Sequence, residues 1–512
     1  MNEMCEIFIK YIQTIFNSIL KNKKYILVFA LSLLFFMFTF FKVENYTFPK
    51  AEIILLTVLF IAGLIAIIYS FKHKNELHKV AFVIILIFGI LTVVTTPTLI
   101  SIDENEHFAR SDMTSLGILI PEYQKEGYVV SDLVYQLQNN MGQTIVDNDF
   151  YQDPINNTKT FYDAGFPQNP FYGYILSGFG ILLAKLLDLS VIWAMWLGRL
   201  FNLFLYAGIC AIGIKKSPNY KMALLVISCL PMSVYQAASF NVDGFVYSFC
   251  ILSIGYFIYM YKTSSLINNK DMAIFFISIL LVSFFKFPYG LFAFFIFLIP
   301  REKFDSKKVF LVSRGIPIGI MIISMAYSLF YASPQLENTF RQIHFIQANV
   351  SPEGQINYMI NNPLNALTFF LQSANLIPEM VTDLFRFSFM QWIYTSQVLS
   401  ILYLIFFSMF CFIYPHEISL NNKNRLKIGI IVFLIYIGIL FIQYLSWASV
   451  GYNKLDMLLG VYARCYIPLL ILFPLIFCLP ASVKIKNFDL KVILAVIIFL
   501  SGTLILTIST FY

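Results

Sequence analysis

The chain has 512 residues, of which 59% are hydrophobic and only 12% charged. A soluble domain carries about 25% charged residues, so the composition excludes a soluble globular enzyme and indicates a polytopic membrane protein. The net charge of +7 comes from basic residues scattered through short loops, which excludes a nucleic-acid partner and suits the surface of a lipid bilayer.

A membrane-spanning helix needs about 20 mainly apolar residues. Spans are therefore expected near residues 25–41, 53–71 and 80–99, with no cleavable leader before the first. A long polar stretch, 100–170, follows. Further spans are expected near 191–214, 222–240, 245–261, 272–285, 289–300, 309–331, 396–414, 428–447, 462–479 and 492–512. The fold class is thus an all-α polytopic membrane protein with about thirteen transmembrane helices and two extracytoplasmic loop regions. Residues 272–300 are expected as two thin spans, with a re-entrant hairpin as the alternative. In domain terms these are N-terminal transmembrane helices (1–99), a first large loop with interfacial helices (100–190), a central bundle (191–331), a second loop (332–395) and C-terminal transmembrane helices (396–512).

Charge orients this layout. With the amino terminus in the cytoplasm, the loops KNKK, KHKNELHK, KKSPNYK, KTSSLINNK, REKFDSKK, NNKNRLK and KIK all fall inside, as the positive-inside rule asks. The expected location is a bacterial cytoplasmic membrane, with the two polar regions outside. This holds only if the apolar stretch 171–187 does not span, so it is expected to lie as an amphipathic helix in the outer interface. Residues 363–377 are expected to do the same.

The densest ionisable stretch is TTPTLISIDENEHFAR, residues 95–110. Charged groups at a bilayer edge are expensive to keep and mark candidate sites. On a helix, Asp103 and Glu106 share a face, as do Glu104 and His107, and Asp103 stacks on His107. Such a set can accept a proton from an attacking hydroxyl, hold magnesium or manganese through Asp103, Glu104 and Glu106, or simply solvate a helix end. Arg110 can neutralise the acids or grip a phosphate. Asp243 sits in the turn Asn241-Val242-Asp243-Gly244, where turn chemistry alone is a sufficient reason for it. Arg199, Lys286 and Arg464 fall at the outer edge and suit a lipid-linked phosphate or diphosphate. Lys185 and Arg314 are expected to snorkel, and His344 to be a solvated loop histidine. The seven cysteines have no metal spacing and are expected as packing residues. Aromatic residues, at 18%, fit interfacial belts and sugar stacking equally well. The sequence has no HExxH, Walker loop, GxSxG or CxxC motif.

The stretch Asp103-Glu104, His107, Arg110 resembles the DE-x-x-H-x-x-R signature of a bacterial membrane family, domain of unknown function 2142. Further segments are similar to that family in the same order. They are Asn169-Pro170-Phe171-Tyr172-Gly173-Tyr174, Leu197-Gly198-Arg199 through Asn202, Leu230-Pro231-Met232 through Gln236 and Ser239 to Asp243, Lys286-Phe287-Pro288-Tyr289, Leu445-Ser446-Trp447, and Gly460 through Arg464, Tyr466 and Pro468. Here Ala463-Arg464-Cys465-Tyr466 departs from the family's GRY. The family in turn resembles GT-C-class membrane glycosyltransferases in architecture, an analogy at fold level. The resemblance implies a glycosyltransferase that takes sugar from a polyprenyl-phosphate donor to a cell-surface glycan or teichoic acid on the extracytoplasmic face. Asp103 is then the expected general base, with Glu104 next. His107, Arg110, Arg199, Asp243, Lys286 and Arg464 are the expected substrate-binding residues, and a divalent cation is a candidate cofactor. The competing expectations are a transporter or flippase of lipid-linked sugars and a non-catalytic partner in envelope polysaccharide assembly.

Overall fold

The computed structural model describes residues 20–41, 49–124, 126–337, 346–378, 396–415, 418, 420–451, 463–478 and 485–512. His344, Gly460 and Cys5 lie outside these described residues. Three apolar helices come first, α1 (Lys23–Phe40), α2 (Lys50–Lys72) and α3 (Leu77–Thr95). A folded polar region follows. It holds α4 (Glu104–Ser115), strand β1 (Tyr128–Ser131), α5 (Leu133–Gln138) and strand β2 (Lys159–Tyr162), with β1 and β2 paired antiparallel. It closes on α6 (Ile175–Leu186).

The chain then crosses repeatedly. The order is α7 (Val191–Lys216), α8 (Lys221–Ser228), α9 (Pro231–Ala237), α10 (Asp243–Lys262) and α11 (Asn269–Ser283). A 3₁₀ segment, Phe287–Leu298, returns antiparallel to α11. Beyond it lie α12 (Lys307–Tyr327), α13 (Pro352–Asn361), α14 (Pro363–Gln372), α15 (Gln397–Ile413), α16 (Asn422–Trp447) and α17 (Phe488–Phe511).

Among the described residues, eight helices are long and apolar enough to cross a bilayer. The chain is therefore an all-α membrane protein. The other five expected spans take different forms. The segment expected at 222–240 is broken at Leu230-Pro231 into helices of 8 and 7 residues, because proline supplies no N–H to the preceding turn. Residues 269–298 form a hairpin of a 15-residue α-helix and a 12-residue 3₁₀ helix. Gln397–Ile413 is a 17-residue helix. From Ala463 to Phe477 the chain runs through three short pieces, the second and third carrying Pro468 and Pro474 in their first turns.

Helix α6 has 12 residues and is about 18 Å long, too short to cross. Its Gly180 lies against the α7 backbone, where an added Cβ would come 2.6 Å from the Leu197 carbonyl, so only glycine permits this crossing. The opposite face of α6 leaves Ile175, Phe179 and Leu186 exposed, as an interfacial helix does. In the bundle interior Phe29, Ile84, Phe88, Leu203 and Phe257 are fully buried. Cys210, Cys229, Cys250, Cys411 and Cys478 are buried too, whereas Cys465 is half-buried.

The short basic loops after α2, α7, α10 and the 3₁₀ segment share one end of the bundle, where His78 lies near Lys215 and Lys221, Lys216 pairs with Asp271 and Lys303 donates to Tyr261 O, and the polar region sits at the other, joined to α7 and to the turn before α10. Helix α10, with 20 residues, is about 30 Å long at 1.5 Å per residue. That matches the hydrocarbon thickness of a bilayer. Asp243, its first residue, therefore lies at the end of the bundle opposite the basic loops.

Candidate functional site

Two left-handed residues start the site. Leu99 (φ 49°) and Asp103 (φ 60°) curl the link between α3 and α4 into a tight loop. The conformation costs an L-residue roughly 1–2 kcal/mol, and aspartate is among the few that visit it. Asp103 stands at the N-cap of α4, yet its carboxylate caps nothing there. It points across the bundle and accepts from the Arg464 guanidinium. Helix capping, the plain reading of this residue, is thus not its role.

Arg464 joins two carboxylates. Its other terminal nitrogen is 3.5 Å from Asp243 Oδ2 and donates to the Ile102 carbonyl at 3.3 Å. Lys286 Nζ, at the apex of the 269–298 hairpin, is 2.5 Å from Asp243 Oδ1. Two acids and two bases therefore form one chain, Asp103–Arg464–Asp243–Lys286. Exposure is greatest at its two ends, with the Asp103 side chain 28% exposed and Lys286 18%, against 9% for Arg464 and 3% for Asp243. The surroundings fix each link. Asn202 on α7 donates to the Ser239 and Asn241 carbonyls. Asn241 donates to Ile102 O at 3.0 Å. Tyr247 and Tyr289 donate to the Arg464 and Cys465 carbonyls at 2.7 and 2.6 Å. Cys465 packs against the core and also borders the site, its Sγ 3.9 Å from Lys286 Nζ.

His107 flanks the chain from α4. Its ring stacks on Phe166 with centroids 4.6 Å apart, and Nδ1 is 2.7 Å from the Tyr174 hydroxyl. Asn169 Nδ2 donates to the same hydroxyl at 2.7 Å. Burial drives the imidazole down to about 4, because the lost hydration of the cation outweighs the nearby Asp103 and Asp243 charges, while Arg464 and Lys286 push the same way as burial. His107 is therefore neutral at neutral pH. In the unfolded chain the imidazole protonates at its ordinary 6.5 and takes up the proton first. Stability from this residue is thus full above 6.5 and falls as pH drops toward 4. Over that window His107→Gln should lose less thermal stability than the parent, by an amount on the order of 3 kcal/mol, in melting curves recorded at stepped pH.

Three expected site residues stand elsewhere. Glu104 and Arg199 are fully buried and form a bidentate pair, with both contacts 2.8 Å. Arg199 also donates to the carbonyls of Val93, Thr96 and Pro97, and Glu104 accepts from the Ser101 and Phe240 amides. The pair staples the end of α3 and the start of α4 to α7, with neither charge left over for a ligand. Arg110 is fully buried and spends its guanidinium on Asn169 O, Thr114 Oγ1 and Leu119 O. The metal set Asp103, Glu104 and Glu106 also comes apart. Asp103 faces Arg464, Glu104 faces Arg199, and Glu106 accepts from the Tyr162 hydroxyl and the Gly165 amide. These three carboxylates share no centre, and among the described residues no group of three His, Cys, Asp or Glu side chains is gathered for a metal.

The sequence reading also missed a pair. Lys185 does not snorkel. Its Nζ is 2.5 Å from Asp112 Oδ1, with side chains 8% and 0% exposed. Ser131 donates to the same carboxylate through its amide and hydroxyl. With Ser111–Ser177 and His107–Tyr174, this zips α6 along α4. Lys185→Met should cost about 3 kcal/mol or more, since it strands a buried carboxylate, and loss of a lipid anchor alone would cost far less; denaturation in detergent distinguishes them. No local pattern links residues 112 and 185. Arg314 likewise does not snorkel: it donates to the Ile296 and Ile299 carbonyls.

A family profile matches residues 86–473, and it is described as predicted membrane protein (DUF2142). The chain belongs to this family. The matched segment takes in Asp103, His107, Asp243, Lys286 and Arg464, so the whole charge chain lies within the family domain. No curated protein and no solved structure matches the chain.

Proposed function

We propose that this member of the family is a membrane-embedded glycosyltransferase of GT-C-like architecture. It moves a sugar from a polyprenyl-phosphate donor to a cell-surface glycan or teichoic acid hydroxyl on the extracytoplasmic face. One observation carries the reading: a partly exposed aspartate, held in a left-handed turn, shares Arg464 with Asp243, and Asp243 also pairs with Lys286. A base facing water beside cations at headgroup depth is what a lipid-borne phosphate leaving group needs.

In this scheme the acceptor oxygen bonds to the anomeric carbon, and the bond from that carbon to the phosphate oxygen breaks. The electron pair leaves with the polyprenyl phosphate, and the hydroxyl proton passes to the Asp103 carboxylate. Lys286 and Arg464 receive the growing phosphate charge. Asp243 holds both cations in place before the donor arrives. His107, neutral and stacked, serves as a hydrogen-bonding group that adds no charge to the site. Glu104, Arg199 and Arg110 are the frame.

The test is mass spectrometry of envelope glycans from cells lacking the gene, together with transfer assays in membranes given a polyprenyl-phosphate sugar. Loss of one glycan sugar, with transfer restored by the parent chain, supports the reading. Intact glycans and movement of labelled lipid across the bilayer without glycosyl transfer would replace it with the transport alternative.

A further inference from the structure

One buried hydroxyl ties three side chains together. Tyr174 is fully buried, and its oxygen has two polar neighbours, His107 Nδ1 at 2.7 Å and Asn169 Nδ2 at 2.7 Å. Burial pushes the phenol pKa up, so the hydroxyl keeps its proton at neutral pH. It therefore has one proton to give. The amide nitrogen of Asn169 only donates, so it occupies a lone pair on the oxygen. That leaves the proton for His107 Nδ1, because a buried hydroxyl hydrogen goes to the acceptor within reach. Arg110 supports the same direction. It donates to Asn169 O at 3.1 Å, which anchors that residue, and its guanidinium lies 5.5 Å from the centre of the Tyr174 ring, where a cation makes the phenol a better donor.

His107 is neutral at neutral pH, and a neutral imidazole carries one proton on one of its two nitrogens. Nδ1 accepts from Tyr174, so the proton sits on Nε2. A half-turn of the ring would set a carbon against the Tyr174 hydroxyl. Stacking on Phe166, with centroids 4.6 Å apart and planes 13° from parallel, fixes the plane of the ring. Among the described residues Nε2 makes no hydrogen bond. The charges that act on the imidazole are those of Asp103, Arg464, Asp243 and Lys286, the four members of the charge chain.

We infer that Tyr174 and Asn169 are positioning residues that hold His107 in the Nε2–H form, and that this N–H is a neutral donor to a phosphate oxygen held at Lys286 and Arg464. A third cation there would compete with Lys286 and Arg464 for the two aspartates, whereas a neutral N–H adds a hydrogen bond and leaves both ion pairs alone. In this form neither imidazole nitrogen has a lone pair free for the acceptor's proton, so the base of the proposed transfer is left to Asp103. The phosphate half of the inference rests on the function proposed above. The tautomer does not.

The test is ¹⁵N magnetic resonance of the full chain in lipid nanodiscs at neutral pH, labelled at histidine, with every histidine except His107 replaced by glutamine. One-bond coupling places the proton on a particular nitrogen, and in the parent that should be Nε2. Tyr174→Phe should give a mixture of the two forms. Asn169→Asp offers the hydroxyl a carboxylate, which only accepts, so Tyr174 should turn its proton to position 169 and the imidazole proton should move to Nδ1. Inorganic phosphate should shift the Nε2 resonance, and His107→Phe should weaken phosphate binding about tenfold or more, the loss of one hydrogen bond to a charged group. A parent proton on Nδ1 would overturn the tautomer, and this measurement needs no variant at either positioning residue to fold. A single unchanged form in both Tyr174→Phe and Asn169→Asp would overturn their positioning role. An Nε2 resonance indifferent to phosphate would overturn the donor role. None of these readouts requires turnover, so a lack of glycosyl transfer would strike the proposed function and leave them standing.

Discussion

On the proposed function, Asp103→Asn should lower glycosyl transfer in isolated membranes by about 10²-fold or more, the usual contribution of a general base. The substitution removes the proposed proton acceptor and keeps the side chain's shape. Asparagine tolerates the left-handed turn at Asp103 as well as aspartate does, so the loop should persist. The loss should therefore appear in turnover while the melting temperature holds to within a few degrees. The side chain also releases Arg464 from one of its two carboxylates, so donor affinity should stay level or rise. Transfer at the parent's rate would remove Asp103 as base. Transfer lost together with the melting transition would assign it a role in the frame.

Arg199→Met should act on the opposite quantity. It leaves the Glu104 carboxylate in a fully buried position without its bidentate partner. Stranding a buried charge in this way costs about 3–5 kcal/mol, a large part of the stability of a typical domain. The link between α3 and α4 should loosen, and yield in membranes should collapse. Removing both charges in Glu104→Gln with Arg199→Met should recover much of the loss, because an apolar replacement of a buried pair is often near neutral. The double variant would still lack the contacts to Val93, Thr96 and Pro97, so recovery should be incomplete. A double variant no more stable than Arg199→Met would argue that these carbonyls, and not Glu104, are what Arg199 satisfies.

The residues that meet at the site were visible as a set of charges but not as partners. Asp103, Lys286 and Arg464 each drew notice because ionisable groups near apolar segments are costly, and Asp243 through its turn and the family resemblance. The same reasoning gathered Glu104, Arg199 and Arg110 with them, and the structure separates these into a buried staple and a loop clamp. Burial cost alone cannot tell a charge held for a ligand from one held for the fold. Lys185 shows the reverse error. Snorkelling accounts for a lone lysine near a helix end, but Asp112 lies 2.5 Å away from a helix far off in sequence.

Composition and charge pattern by themselves determined that this is a helical membrane protein. Hydrophobic runs of span length and the segregation of lysine and arginine are properties of local sequence, and the bilayer reads them locally. Which crossings are whole helices, and which charge faces which, only the tertiary structure decided. Residues 287–298 form a 3₁₀ helix and not a second α-helix, and a carboxylate is left partly open or is stapled according to what the packed helices bring within 3 Å of it.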